Sequence, residues 1–310
     1  MGRIALLIGM AFIPAYVHLH QRGELENRSR LLREFLKECR LCPRECRVNR
    51  LEGELGYCKA PGELRISSAF PHFGEERPLV GYHGSGTIFL TYCNLLCLFC
   101  QNYDISHLGG GERITDSGLA RTMIGLQDMG CHNINFVTPT HYAPQIVSSL
   151  PEAIDMGLRV PIVYNCSGYE SIEVIRLLEG VVDIYMPDAK YMDERFAKQF
   201  SNAPDYPEIL KDVLKEMHRQ VGDLAINSGG IAERGLLIRH LVMPGGAASS
   251  EALLKFVAGE ISVHTFVNIM DQYRPEYRAH DFPEINRRIT PKEYLEAIQI
   301  AKGVGLYRGF

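Results

Sequence analysis

The chain has 310 residues, 46% hydrophobic and 23% charged, with a net charge of −4. That length suits one large barrel or two ordinary domains. No basic stretch is long enough to follow a phosphate backbone, so nucleic acid is not an expected partner. Nine cysteines are present, seven of them in two tight groups. This clustering reads as metal sites in a reducing compartment, not as a disulfide framework.

Ile4 to Val17 is almost wholly apolar and follows Arg3. It is shorter than the roughly 20 residues of a spanning helix. It is similar to the hydrophobic core of a secretion signal, yet no small-residue cleavage site follows. Residues 1–22 are therefore expected to be an apolar leader outside the folded domains, with no stable membrane anchor. Glu24 to Lys37 carries Leu25, Leu31, Leu32, Phe35 and Leu36 among charges, the pattern of a short amphipathic helix.

Cys39, Cys42, Cys46 and Cys58 follow, spaced C-x2-C-x3-C-x11-C. Four thiolates complete a four-cysteine zinc shell or a fully ligated iron–sulfur cluster, and the spacing does not separate the two. Pro43, Gly53 and Gly56 allow the tight turns that gather sulfurs. Residues 23–85 form a Cys-rich N-terminal segment. Its last part, from Leu64, is rich in Gly, Pro and His and reads as a turn feeding the first barrel strand. Gly81-Tyr-His-Gly84-Ser-Gly86 precedes a strand, where a dinucleotide fingerprint would follow one.

The strand Thr87–Tyr92 leads into Cys93, Cys97 and Cys100, spaced C-x3-C-x2-C. Three thiolates this close bind three corners of a [4Fe–4S] cluster and leave one iron without a protein ligand, an open position suited to chemistry. A zinc knuckle is the plain structural alternative. After this loop, strand-like runs at Asn133–Val137, Val160–Tyr164, Val181–Met186, Leu236–Val242 and Thr265–Met270 alternate with helical patterns. The helices expected are Ser117–Met129, Pro144–Met156, Ser171–Leu178, Pro207–Arg219 and Ser250–Val257, with a last one after the cap Thr290-Pro291. Six βα units imply a parallel sheet. The fold class expected is α/β: an open six-stranded (β/α)6 partial TIM barrel over residues 86–310, with the Cys-rich extension in front.

In βα barrels chemistry sits at the C-terminal strand ends. Here these are the three cysteines, Thr138-Pro-Thr140-His141, Asn165-Cys-Ser167-Gly-Tyr169, Pro187-Asp188-Ala-Lys190, Arg239 through Met243-Pro-Gly245, and Asp271-Gln-Tyr273. The cysteine spacing with Phe99 before the last cysteine resembles the radical S-adenosylmethionine (SAM) superfamily. Asp188-Ala-Lys190 and Arg239-x-x-x-x-Pro244-Gly245 resemble the branch around the pyruvate formate-lyase activating enzyme. Closer still is a group of uncharacterised relatives with a leading C-x-x-C-P-x-x-C segment and a Gly-Ser-Gly-Thr-Ile-Phe lead-in, both present here.

The resemblance implies reductive cleavage of SAM to a 5′-deoxyadenosyl radical and hydrogen abstraction from an unidentified substrate. A protein substrate is the activating-enzyme expectation. It implies Cys93, Cys97 and Cys100 as cluster ligands, and Asp188 and Lys190 as holders of the methionyl ammonium and carboxylate. Phe99, Gln101, Thr138, Thr140, Asn165, Ser167 and Arg239 complete the cofactor site. An electron donor such as flavodoxin or ferredoxin follows as a partner, and an oxygen-sensitive cluster argues for the cytoplasm.

The chain departs from the branch pattern at two strand ends. Thr138-Pro-Thr-His stands where Gly-Gly-Glu is usual, with Thr138 and Thr140 as the substitutes, and Tyr273 stands in place of a histidine near the last strand. Cys131 is expected to be a buried small hydrophobe. Cys166 lies near the site and is a candidate reactive thiol. His240 reads as a polar core or surface residue. The competing function is a non-catalytic electron carrier or scaffold with two Cys sites, which would need a fourth ligand beside Cys93, Cys97 and Cys100.

Overall fold

The computed structural model describes residues 12–310. The first helix, α1 (Ala15–Gln21), buries Tyr16, Val17 and Leu19. Its Tyr16 hydroxyl donates to the Val160 carbonyl at 2.7 Å. The expected leader therefore divides. Residues 1–11 lie outside the described residues, whereas the part from Ala15 belongs to the fold. Helix α2 (Glu24–Glu34) is shorter than its pattern suggested, and Leu25 and Leu32 face inward. The Cys-rich segment follows without regular structure except one 3₁₀ turn at Arg50–Glu52.

Strand β1 (Arg65–His72) then runs antiparallel to β2 (Ser85–Leu90), with the four-residue helix α3 (Arg77–Val80) between them. This corrects the reading of residues 64–86 as a mere turn: β1 belongs to the same sheet as β2. Ser67, Ser68 and Pro71 break the apolar alternation, and every position is half-buried or exposed.

After the cysteine loop come α4 (Tyr103–Ser106), β3 (Glu112–Arg113), α5 (Asp116–Asp128), β4 (Ile134–Val137), α6 (Ala143–Asp155), β5 (Ile162–Cys166), α7 (Ile172–Leu177) and β6 (Ile184–Pro187). Next are α8 (Glu194–Ser201), α9 (Tyr206–Val221), β7 (Ala225–Ile226), β8 (Ala232–Leu241), α10 (Ser250–Phe256), β9 (Phe266–Met270) and α11 (Pro291–Gly303). The fold is mixed α/β around one nine-stranded sheet in the order β3-β1-β2-β4-β5-β6-β8-β7, with β9 also on β8. The expected six strands are therefore joined by three antiparallel ones: β1 and β3 beyond β2, and β7 on β8. Helix α8 escaped the pattern reading because it spans only eight residues, bounded by the Asp193 N-cap and the left-handed Asn202.

The strands β2, β4, β5, β6, β8 and β9 pair in parallel. Residues of β4, β5 and β6 are buried almost throughout, as both faces of a parallel sheet under helices must be. Register then aligns the strand ends. Val137 pairs with Asn165, Asn165 with Met186, Asp188 bridges Arg239, and Arg239 pairs with Asn268. Among the described residues no helix is long and apolar enough to cross a membrane.

Candidate metal centre and ligand cavity

The loop after β2 turns sharply because Tyr92 and Leu96, the residues before Cys93 and Cys97, take left-handed backbone angles of φ 69° and 54°. L-residues pay about 1–3 kcal/mol for such angles and hold them only where the surroundings demand it. Several donors point at the sulfurs. The Leu95 N–H donates to Cys93 Sγ at 3.4 Å and the Ser201 hydroxyl to Cys97 Sγ at 3.1 Å. Cys100 Sγ lies 3.1 Å from Ser106 Oγ. Below the loop, the Asn94 side chain donates to the Tyr169 carbonyl at 2.6 Å.

All three cysteines face a cavity of about 240 Å³ at the C-terminal strand ends. Phe99, Gln101, Thr138, Asn165, Ser167, Asp188, Lys190 and Arg239 share its lining, so the structure gathers these expected residues in one place. A larger groove of about 580 Å³ lies between α10 and α11, but it holds no cysteine and none of these residues. Phe99 itself is 5% exposed and its ring packs against Tyr191 and Tyr273. Gly168 makes the turn after Ser167 with φ 75°, and a Cβ there would come within 2.9 Å of the Asp188 carbonyl. The Ser167 hydroxyl is buried and has no hydrogen-bond partner among the described residues.

A charged row crosses the cavity floor. Lys190 Nζ donates to Asp188 Oδ2 at 2.7 Å, and Arg239 Nε donates to Asp188 Oδ1 at 2.7 Å. Arg239 Nη2 reaches Asn165 Oδ1 at 2.7 Å and Nη1 meets Glu75 Oε2 at 3.5 Å. Burial pushes the Asp188 carboxyl up, but Arg239 and Lys190 beside it prevail and hold it below its ordinary range. Burial likewise opposes the Lys190 ammonium, yet Asp188 and Cys97 keep it above its usual value. Burial outweighs Arg239 at Glu75, whose carboxyl is raised. Burial also lifts the Cys93 thiol to about 12, so in the folded chain a soft cation is what would make it a thiolate.

Three expectations meet a different structure. Thr140 is fully buried and its hydroxyl donates to Glu170 at 2.8 Å, so it stands behind the cavity wall, whereas Thr138, with φ 59°, lines it. Tyr273 is 1% exposed and gives its hydroxyl to the Ile285 carbonyl, so it replaces no cavity-facing histidine. Cys166 does line the cavity. Burial holds its thiol well above the ordinary range. Glu170 takes the Thr140 and Tyr164 hydroxyls, and burial raises that carboxyl to about 7. Glu75 and Glu170 were not singled out in the sequence. Glu75 lies in a loop 164 positions from its arginine, and no local pattern marks either residue. Cys131 is buried as expected, and His240 is a core residue with both ring nitrogens engaged by Ala189 and Ser250.

No family model matches the chain. It is 33% identical over 292 residues to the uncharacterized protein MJ0674 of Methanocaldococcus jannaschii, covering 91% of this chain and 79% of that protein. The chain belongs to the MJ0674 family. A second relative in the same organism, the uncharacterized protein MJ0808, is 24% identical over 291 residues, 87% of this chain and 78% of its own length. Two solved structures overlay more loosely on this member of the MJ0674 family. A radical SAM methyltransferase from Sphaerobacter thermophilus aligns with a TM-score of 0.47 and 14% identity, over 72% of this chain and 64% of its own. HydG, a maturase of the [FeFe]-hydrogenase, aligns with a TM-score of 0.48 and 15% identity, over 70% of this chain and 48% of its own. The chain thus spans under two thirds of each solved structure.

Proposed function

We propose that this protein is a radical SAM enzyme of the activating-enzyme type, its six parallel strands forming the open partial barrel around the site. One observation carries the reading: three cysteines of a single loop face the same cavity as an Asp188–Lys190–Arg239 row. The donor set fits. Three soft thiols suit a [4Fe–4S] cluster with one iron left open. Bound there, the cluster supplies the electron that cleaves SAM to methionine and a 5′-deoxyadenosyl radical.

The chain's own residues do the rest. Asp188 accepts hydrogen bonds from the methionyl ammonium and Lys190 donates to the carboxylate. Arg239 and Asn165 keep Asp188 turned toward the ligand, and Glu75 steadies Arg239 from below. Ser167 offers its free hydroxyl to the ligand, Thr138 closes one wall, and backbone beside Phe99 and Gln101 meets the adenine. Ser201 and Ser106 steady the sulfurs they touch. Burial excludes water that would quench a carbon radical.

The competing carrier needs a fourth ligand, and Cys166 is the thiol placed to be one. It ends β5, outside the loop that carries Cys93, Cys97 and Cys100. The reading extends to a protein substrate, a low-potential donor such as flavodoxin or ferredoxin, and a cytoplasmic setting. The leading four cysteines are a second metal site.

The deciding experiment is anaerobic reconstitution with iron and sulfide, reduction, and EPR before and after SAM addition, with assay of 5′-deoxyadenosine. A SAM-dependent change in the spectrum and release of the nucleoside are expected. A cluster whose spectrum ignores SAM would establish the carrier instead.

A further inference from the structure

We infer that Arg44, from the Cys-rich segment, is a positioning residue of the Cys93–Cys100 loop: it locks the loop to the end of α8 and so keeps the Ser201 hydroxyl on Cys97 Sγ. Its effect on a cluster potential rests on the reading that this loop holds a cluster; its effect on the bare thiols does not.

Arg44 stands in a tight turn. The Glu45 N–H donates to the Cys42 carbonyl at 3.1 Å, and Glu45 takes a left-handed φ of 38°. The Arg44 side chain leaves this turn between the rings of Tyr57 and Tyr169, its Cζ 4.0 and 5.1 Å from their centres. Aromatic faces hold a guanidinium plane and leave its N–H edge free to donate. Tyr169 is itself fixed: it is buried, its carbonyl accepts from the Asn94 side chain, and its hydroxyl donates to Asp205 at 2.8 Å.

The guanidinium edge meets two distant segments at once. Nε donates to the Asn94 carbonyl at 3.2 Å, and Nη2 lies 3.5 Å from the Leu95 carbonyl. Nη2 also donates to the Ser201 carbonyl at 2.8 Å, and Nη1 donates to that of Asn202. Ser201 ends α8 and Asn202 is its left-handed cap, where carbonyls have no partner within the helix. The Phe200 carbonyl, one residue back, accepts from the Leu98 N–H at 2.8 Å. The cysteine loop and Arg44 together therefore cap α8, and a cation at a helix C-terminus suits its dipole as well.

This cap sets a contact to sulfur. Ser201 Oγ donates to Cys97 Sγ at 3.1 Å and lies 2.9 Å from the Tyr191 hydroxyl. A serine hydroxyl has one proton to give, so Tyr191 donates to Ser201 while Ser201 donates to Cys97. Freeing the Ser201 carbonyl from Arg44 lets the end of α8 move and carries Oγ off the sulfur. A donor on a ligand sulfur favours the reduced, more negative cluster, so its loss lowers the potential. Lysine would bring the same charge without the planar fork, and one ammonium does not span carbonyls of both segments.

The test uses the full-length protein in two states. In the metal-free state, alkylation of Cys97 by iodoacetamide is followed by mass spectrometry, and Arg44→Gln should react several-fold faster than wild type because the loop is released. After anaerobic reconstitution with iron and sulfide, the midpoint potential of the SAM-responsive EPR signal is measured. Ser201→Ala should make reduction about tenfold less favourable, a fall of about 59 mV for one electron. Arg44→Gln should fall comparably, and the double variant should fall no further than either alone. Arg44→Lys should behave as Arg44→Gln. An unchanged alkylation rate or midpoint in Arg44→Gln, a double variant whose fall is the sum of the two, or wild-type values in Arg44→Lys would each overturn the role. If Arg44→Gln does not fold, Tyr57→Leu, which removes one ring and leaves every donor, is judged by the same rate and midpoint. Wild-type protein that forms no SAM-responsive cluster would defeat the enzyme reading, and the alkylation rate would still decide whether Arg44 holds the loop.

Discussion

At the scale of single residues, Asp188 is the hinge of the site. It is held by Lys190 and Arg239, and the three side chains are only 17–20% exposed, so neither partner is an ordinary surface ion pair. Removing one partner of a buried charged contact costs about 2–5 kcal/mol in binding, about 30-fold to several-thousand-fold. Asp188→Asn and Lys190→Ala should each weaken SAM binding by that much while leaving iron content unchanged; calorimetry on the anaerobic protein measures it. Wild-type affinity in both variants would remove them from the SAM site. Cys166→Ser should likewise retain its iron and its SAM-dependent spectrum, because Cys166 ends β5 and stands outside the three-cysteine loop. Loss of iron in that variant would make Cys166 the fourth ligand and favour the carrier. These residues were legible because they fall in short linear groups at strand ends. Glu170 was not: its partners come from two strands, and only the folded sheet brings Thr140 and Tyr164 to one carboxylate.

Elements were legible where one local signal sets them. The last helix illustrates it: Thr290 caps α11 by accepting from the Glu293 N–H, while Glu293 accepts from the Thr290 N–H, a complete capping box. Thr290→Ala should cost about 1 kcal/mol in urea unfolding. Glu293→Ala should cost more, since that carboxylate also takes the Gly245 N–H in the turn after β8. Equal losses would contradict the second role.

Helix α1 was missed because its anchor is distant. Asp183 takes the Ala15 N–H at 3.1 Å and the Ile162 N–H at 3.0 Å, and burial raises its carboxyl to about 7. The unfolded chain releases this proton near pH 4, whereas the native chain keeps it until about 7. Stability from this group is therefore full below about pH 4, falls as pH rises to about 7, and is level above it; the change is about 4 kcal/mol. Glu170 acts in the same sense over a similar window. Asp183→Asn should be less stable at acid pH but lose less stability between pH ~5 and ~7.5. Parallel wild-type and variant pH profiles would contradict this.

Across the whole molecule, long-range hydrogen bonds tie the Cys-rich segment to the α/β body. Arg28 donates to the carbonyls of Leu177 and Glu179, Arg33 reaches Asp116 and Ser148, and buried Arg50 donates to the His141 carbonyl at 2.7 Å. Urea unfolding should therefore be one transition, with probes in the segment and in the sheet coinciding. Two separated transitions would restore an independent N-terminal domain. The parallel strands were readable from alternation of βα patterns. The antiparallel additions were not, because β3 and β7 are two residues each and depend wholly on neighbours supplied by pairing.

Those long-range contacts also set a timetable. The Cys93–Cys100 loop is closed over by groups that come much later in the chain: Ser201 on Cys97, Arg239 beneath the cavity, and Arg278, whose N–H donates to the Leu98 carbonyl at 2.9 Å. At translation rates of about 5–20 residues per second, the roughly 180 residues between Cys100 and Arg278 take about 10–35 s to appear. For that interval the nascent thiols stand in water without their lid. Iron and sulfide can be delivered to the loop during synthesis, and oxygen can reach it through the same opening.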